Sequence, residues 1–208
     1  DNNVTAFQIK NGFSFSEKAT TNKIGFSFTY YDRNEMDFTF SKDLFDLIFF
    51  GNKKFIGDEI NLENTSLSMT RYQQYNLSFN KIILINKKGE YTPERIEFGV
   101  GYSILSGNHH LSLNGDNSII SIGEFGKNIN ADLNLNAYTS DTNDVSPFKP
   151  FTKNGSGNAV NFYIDLKKDK HNILFSVNDL GSIKWDNNSV KYTINHAVDF
   201  SGIEIGNI

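Results

Sequence analysis

With 208 residues, no cysteine and a formal net charge of -4, the chain has room for one large β domain or two small ones. It excludes a disulfide framework, thiolate metal sites and, having no basic block, a nucleic-acid partner. Hydrophobic residues make up only 38%, yet aromatics make up 14%, with 19 Phe and 9 Tyr, and a remainder rich in Asn, Ser and Gly favours strands and turns over helices.

Residues 4–9 predict a first strand, broken by Asn11-Gly12. Residues 23–31 predict a stronger one: Ile24, Phe26, Phe28 and Tyr30 share one face, and Gly25, Ser27 and Thr29 the other. Asp32-Arg33-Asn34 is expected to turn the chain, so that residues 36–40 run back as a hairpin. Residues 41–50 carry the one helical pattern. Ser41 is placed to cap it, Asp43 favours its first turn, and Phe40 and Phe45 have the spacing of a hydrophobic staple. Leu44, Leu47 and Ile48 fall on one face, predicted to pack on strands, and Gly51 ends the helix ahead of Lys53 and Lys54.

Residues 59–67 and 67–85 are strand-rich, with Tyr75, Leu77 and Phe79 alternating against Asn76, Ser78 and Asn80. Residues 87–90 predict a turn, and Pro93 an edge or strand start. Residues 95–106 predict a long strand with Phe98, Val100, Tyr102 and Ile104 opposite Gly99, Gly101 and Ser103. Glycines on one face let such a strand curve or let a neighbour approach closely. Gly107-Asn108 and Asn114-Gly115 bracket a short segment holding His109 and His110. A short strand at 118–122 and a clean alternation at 130–138 follow, with Ala131, Leu133, Leu135 and Ala137 against Asn130, Asp132, Asn134 and Asn136. Residues 139–157 predict the longest loop, residues 158–166 alternate again, and residues 167–170 form a charged turn.

The stretch ILFSVNDLGSIKW, residues 173–185, organises the rest. Its alternation breaks at Asp179-Leu180-Gly181, where Gly181 is expected to supply a bend through positive φ or a bulge, and Trp185 to anchor the return. With residues 190–200 it predicts a bent hairpin. The total is roughly ten to twelve strands with one short helix. No repeat period points to a propeller, and no alternation with helices points to an α/β fold.

Chemical motifs are sparse. His109 and His110 are adjacent strand positions and therefore point to opposite faces, which argues against one metal site. Asp141-Thr142-Asn143-Asp144 lacks the spacing and glycine of an EF-hand, and Asp165 with Asp169 is a weak carboxylate pair. HExxH, GxSxG and P-loop motifs are absent. No catalytic residue, metal or cofactor is expected. Trp185 and the tyrosines suit sugar stacking, an interfacial girdle or plain core. No run of about 18 apolar residues exists for a transmembrane helix, whereas a transmembrane strand needs only about 9–11 residues with alternate ones apolar.

Three stretches, in this order, carry a family resemblance: FSKDLFDLIFFGNKKFIG at 40–57, NDLGSIKW at 178–185 and FSGIEI at 200–205. They resemble a family of uncharacterised Gram-negative outer-membrane β-barrels, distantly similar to FadL-type transporters and to the PorV-like barrels of type IX secretion. The resemblance implies an all-β, antiparallel up-and-down, outer-membrane-type barrel segment. Residues 1–208 would form a single β domain within a larger barrel, with further strands before Asp1 and after Ile208. It also implies a non-enzymatic transport or secretion-linked role in the outer membrane, with lipid as a partner and a small hydrophobic ligand or secretion-system proteins as others. The landmarks it marks are structural: Ser41, Gly51, Asp179, Gly181 and Trp185. The competing expectation is a soluble secreted or periplasmic β-sandwich or barrel that binds glycan or protein. The two differ in where the apolar face points. In a membrane barrel Leu133, Leu135, Phe162 and Ile164 face lipid, and in a soluble fold they form the core.

Overall fold

Period-two alternation with a single helical stretch leaves strands as the way to satisfy the backbone. The computed structural model, which describes residues 2–85, 92–124, 128–140 and 152–200, has ten of them in one sheet. They are β1 (Asn2–Glu17), β2 (Gly25–Ser41), β3 (Glu59–Asn61), β4 (Thr65–Leu84), β5 (Arg95–Gly115), β6 (Ile119–Ile122), β7 (Ile129–Thr139), β8 (Gly155–Lys168), β9 (His171–Trp185) and β10 (Val190–Phe200). Helix α1 (Lys42–Phe50) and a 3-10 turn (Asn52–Phe55) link β2 to β3. The fold is all-β and antiparallel.

The ten strands lie along six lines. β3 and β4 pair with β6 and β5 in one unbroken register, from Glu59 opposite Ser121, through Thr65 opposite Gly115, to Arg71 opposite His109. β7 and β8 share the far edge of β5, with Thr139 opposite Leu111 and Gly155 opposite Gly107. β10 and β9 continue that division, pairing with β7 and β8. The sheet is thus an up-and-down meander of β1, β2, β3–β4, β5–β6, β7–β8 and β9–β10.

Three irregularities share one level: the bulge at Asn108, the facing ends of β7 and β8 at Ser140 and Asn154, and residues 186–189 between β9 and β10. Hydrogen bonds stitch them together. Asn154 N donates to Gly107 O at 2.8 Å and its Nδ2 to Asn108 O at 2.7 Å. Ser140 N donates to His110 O at 2.9 Å, and Asp186 N to Asn154 O at 2.9 Å. Asn108 and Ser140 are buried in this seam, where the Asn108 amide donates to Thr152 O and the Ser140 hydroxyl accepts from His110 N at 2.8 Å.

Several expected turns are strand. Asn11 pairs with Asp32 and Gly12 with Tyr31 inside the β1–β2 ladder, so neither Asn11-Gly12 nor residues 32–34 turn the chain. Gly107 and Asn114-Gly115 likewise lie within β5. Long ladder pairing outweighs local turn propensity here, and glycine serves instead where the neighbouring strand comes close: a Cβ on Gly12 would overlap the Tyr30 carbonyl oxygen and sit 2.7 Å from the Tyr31 ring. The expected bent hairpin is also corrected. β9 continues to Trp185 through a bulge at residues 178–179 rather than turning back, and β10 pairs with β7 rather than with β9. The expected turn at 87–90, the Asp141–Asp144 motif and residues 201–208 lie outside the described residues.

Side chains alternate across the sheet, with the phase shifted at the bulges of Asn108 and of residues 178–179. Phe28, Leu77, Tyr102, Val160 and Leu180 form one outward row of register-matched residues, and Phe26, Phe79, Val100, Phe162 and Val177 the next. Among the described residues nine buried side chains are polar and seven apolar, the reverse of a soluble interior. One apolar cluster, Phe55, Ile60 and Ile122 with Leu47, Leu62 and Ile120, sits where α1 meets β3 and β6.

Ser41 and Gly51 bracket α1. Ser41 Oγ accepts from Leu44 N at 3.1 Å and donates to Asn61 O at 2.6 Å, while Gly51, at φ 78°, donates its N–H to Leu47 O. Phe40 and Phe45 stack at 6.0 Å. The expected packing face is narrower than Leu44, Leu47 and Ile48: Leu47 joins the cluster, but Ile48 is 61% exposed beside exposed Phe49 and Phe50. The helix lies against the short β3–β6 end of the sheet and the last residues of β2, which leaves its Ile48 side open.

Candidate functional site

Inward-pointing residues of five strands converge on a polar cluster. β2 supplies Arg33 and Glu35, β4 supplies Tyr72, Gln74 and Asn76, β5 supplies Ser103, β8 supplies Asn161 and β9 supplies Asp179. Arg33 Nη1 reaches Asp179 Oδ2 at 2.6 Å and Gln74 Oε1 at 2.9 Å, and Nη2 reaches Glu35 at 2.9 Å. Gln74 Nε2 donates to Asp179 Oδ1 at 2.6 Å and to Ser103 Oγ at 2.9 Å, and Asn76 Nδ2 donates to the same hydroxyl at 2.8 Å. Glu35 also accepts from Tyr72 and Gln8. The Arg33 side chain is only 10% exposed. Such a charge is tolerable because two carboxylates and an amide hold it.

Asp179 arrives by an irregularity. A bulge shifts the β8–β9 register between Val160 and Phe162, and Asp179 takes φ 56°, a left-handed conformation in mid-strand. Its N–H donates to Asn161 Oδ1. The sequence reading assigned that conformation to Gly181; the correction is that Asp179 adopts it. Asp tolerates this conformation better than most residues because its short polar side chain bonds locally. The requirement at Gly181 is space: a Cβ there would overlap the Asn158 carbonyl oxygen and the Ala159 backbone on β8.

Trp185 closes one end of the site. Arg33, Tyr72, Gly107, Gly155 and Trp185 are register neighbours across five strands. The indole lies across the two glycines, so that a Cβ on Gly107 would be 2.5 Å from it and one on Gly155 2.8 Å. It stacks on His110 at 5.4 Å with 16° between planes, and His110 Nδ1 is 2.9 Å from Thr70 Oγ1. The ring is half-buried.

Two cavities open on this face. One, of about 390 Å³, is lined by Arg33, Glu35, Tyr72, His110, Asp179 and Trp185 among others. The other, of about 260 Å³, is lined by Lys10, Tyr31, Asn76, Asn161 and Tyr163, and the two share Gln74 and Asp179. His109 and His110 separate as strand alternation requires, His109 lining an outer-face cavity beside Asp32 and Arg71. Among the described residues no three His, Asp or Glu side chains converge as metal ligands. Asp165 faces Arg95 at 3.9 Å, while Asp169 sits at φ 50° in the β8–β9 turn.

The sequence reading named Asp179, Gly181 and Trp185 but missed Arg33, Glu35, Tyr72, Gln74 and Ser103. The signal for Arg33 and Glu35 was present: once Phe26, Phe28 and Tyr30 are set outward, both fall on the inward face of an unbroken strand.

A family model covers residues 1–208 and is described as DUF5723, a family of unknown function. The chain belongs to that family. No curated protein and no solved structure gives a significant match.

Proposed function

We propose that this DUF5723 chain forms part of the wall of an outer-membrane β-barrel, non-enzymatic, with a transport or secretion-linked role. The observation that carries this reading is the inverted distribution of side chains. The outward rows hold Phe28, Leu77, Phe79, Val100, Tyr102, Val160 and Phe162, all exposed, and the concave face is mainly polar, with one apolar cluster of Tyr72, Leu105 and Ala159 against Ile183. A soluble sandwich would cover that apolar face with a second sheet, whereas lipid covers it without one.

Its height supports the same reading. On β5 the outward apolar run goes from Ile96 to Ile104. At roughly 3.4 Å per residue and a tilt near 40° it spans about 21 Å along the membrane normal, close to the ~25 Å apolar band of such barrels. Tyr30 and Tyr75, with ring centroids 5.2 Å apart, mark one border, where an aromatic girdle belongs. The next outward row, Asp32, Gln73 and Ser106, is polar.

The resemblance to FadL-type and PorV-like barrels supports a transport or secretion-linked role. The lining of this chain favours a polar passenger over the small hydrophobic ligand that the resemblance implies. The test is fractionation of cells expressing the full-length protein. The expected result is recovery in the membrane fraction and release only with detergent; clean solubility without detergent would overturn the reading.

A further inference from the structure

We infer that Arg33, Gln74 and Asp179 form a side-chain septum that closes the lumen, the gate of the barrel proposed above, on which this inference rests. The two cavities are separated at Gln74 and Asp179, which line both and bond each other at 2.6 Å. Arg33 locks that contact from β2 by bonding Gln74 and Asp179 through the same nitrogen. These contacts are between side chains, so rotamer changes alone separate them, and such changes are fast.

The charges are arranged so that separation strands neither of them. Arg33 keeps Glu35 on its own strand, at 2.9 Å, when Asp179 leaves. Asp179 shares the 260 Å³ cavity with Lys10, whose ammonium lies over the Tyr31 ring and is the nearby charge it can turn to, and the hydrogen bond from its own backbone stays with Asn161. A brace built only for stability needs no second partners. The bulge and the left-handed conformation at Asp179 carry its carboxylate across the lumen, and departures from regular geometry of this kind concentrate at functional positions.

The experiment reconstitutes the full-length protein in liposomes and measures swelling in glucose, with single-channel conductance in potassium chloride as the second readout. Asp179→Asn keeps the size and the tolerance for positive φ, Arg33→Gln removes the other charge, and Asp32→Asn breaks the outer-face pair with Arg71 as a control. A severalfold rise in swelling and conductance for both septum variants, with Asp32→Asn at the parental rate, is the expected result. Parental rates in inserted, folded septum variants would overturn the gate. Should those variants fail to insert, Gln74→Ala decides, because it removes the amide that both cavities share and leaves both charges in place: raised flux supports the gate and parental flux overturns it. A parent protein that never enters the bilayer defeats the barrel reading itself, a different failure from a closed but inserted variant.

Discussion

Arg33 on β2 and Asp179 on β9 lie 146 positions apart in sequence, with β4, β5 and β8 between them in the sheet, yet their charged groups meet at 2.6 Å. Laid flat, four inter-strand steps of about 4.8 Å would hold the two backbones about 19 Å apart. The contact therefore requires the sheet to curl, concave toward its polar face. The glycines of β5 help it do so: Gly99, Gly101 and Gly107 put no side chain on the inside of the bend, and Tyr163 and Trp185 from neighbouring lines occupy the room over Gly99 and Gly107.

That pair should be energetically coupled. Asp179→Asn and Arg33→Gln are each expected to cost about 1–3 kcal/mol, since each leaves a partly buried partner short of a hydrogen bond. The values stay below those for a fully buried pair because the Asp179 carboxylate is open to the cavity. Denaturation midpoints in one detergent, for both single variants and the double, give the coupling. A double variant losing less than the sum of the singles is the expected outcome; strict additivity would mean that the two side chains do not share their stabilisation in solution.

The left-handed conformation gives a separate prediction. Asp179→Val loses the hydrogen bonds that Asp179→Asn partly keeps, and it also puts a β-branched residue at φ 56°. It should be less stable than Asp179→Asn by a further 1–3 kcal/mol, roughly the cost of such backbone strain. Equal midpoints for the two would place Asp179 in an ordinary extended conformation.

Much of this fold was legible in the sequence and part of it was not, for identifiable reasons. Alternation set the faces correctly: the Phe26-Phe28-Tyr30 and Phe98-to-Ile104 rows lie outward as one surface. Ser41 and Gly51 were legible because helix caps depend on local chemistry alone. The continuity of β1 and β2 through Asn11-Gly12 and residues 32–34 was not, because it depends on pairing with strands far away in sequence. The cluster around Arg33 was hidden for the same reason. Its members come from five strands, and only the curl of the sheet brings them together.

Trp185 and Gly107 supply a prediction that fold stability can check. The indole is half-buried, so Trp185→Ala should cost about 2–3 kcal/mol, less than the 3–5 typical of a fully buried aromatic. Gly107→Ala should be destabilising on its own, because the new Cβ would lie 2.5 Å from the ring. In a Trp185→Ala background the same change should cost clearly less, since the nearest ring atoms are gone and only the Ile183 Cγ2 methyl, at 2.9 Å, still has to give way. Urea midpoints of the four proteins read this directly, and an unchanged Gly107→Ala penalty without the ring would show that the indole does not lie over the glycine.

The sharpest test of the outward face is one substitution with opposite meanings in water and in lipid. Val100 sits at the middle of the Ile96-to-Ile104 run on β5, 57% exposed, with Phe79 and Phe162 as its register partners on either side. In a water-soluble protein, replacing so exposed a residue by Arg normally changes stability by no more than about 0.5 kcal/mol. At the mid-plane of a bilayer the same change costs about 2–4 kcal/mol, because the guanidinium loses its water. Val100→Arg is therefore expected to lower the stability of the liposome-inserted protein by that larger amount. Asn76→Asp, on the lumen-facing side of β4, would acidify the cavity but add no charge to the lipid face. Unfolding free energies measured in liposomes by denaturant titration separate the two readings. A near-neutral Val100→Arg would mean that water, not lipid, covers this face, and the apolar rows would then need a protein partner to account for them.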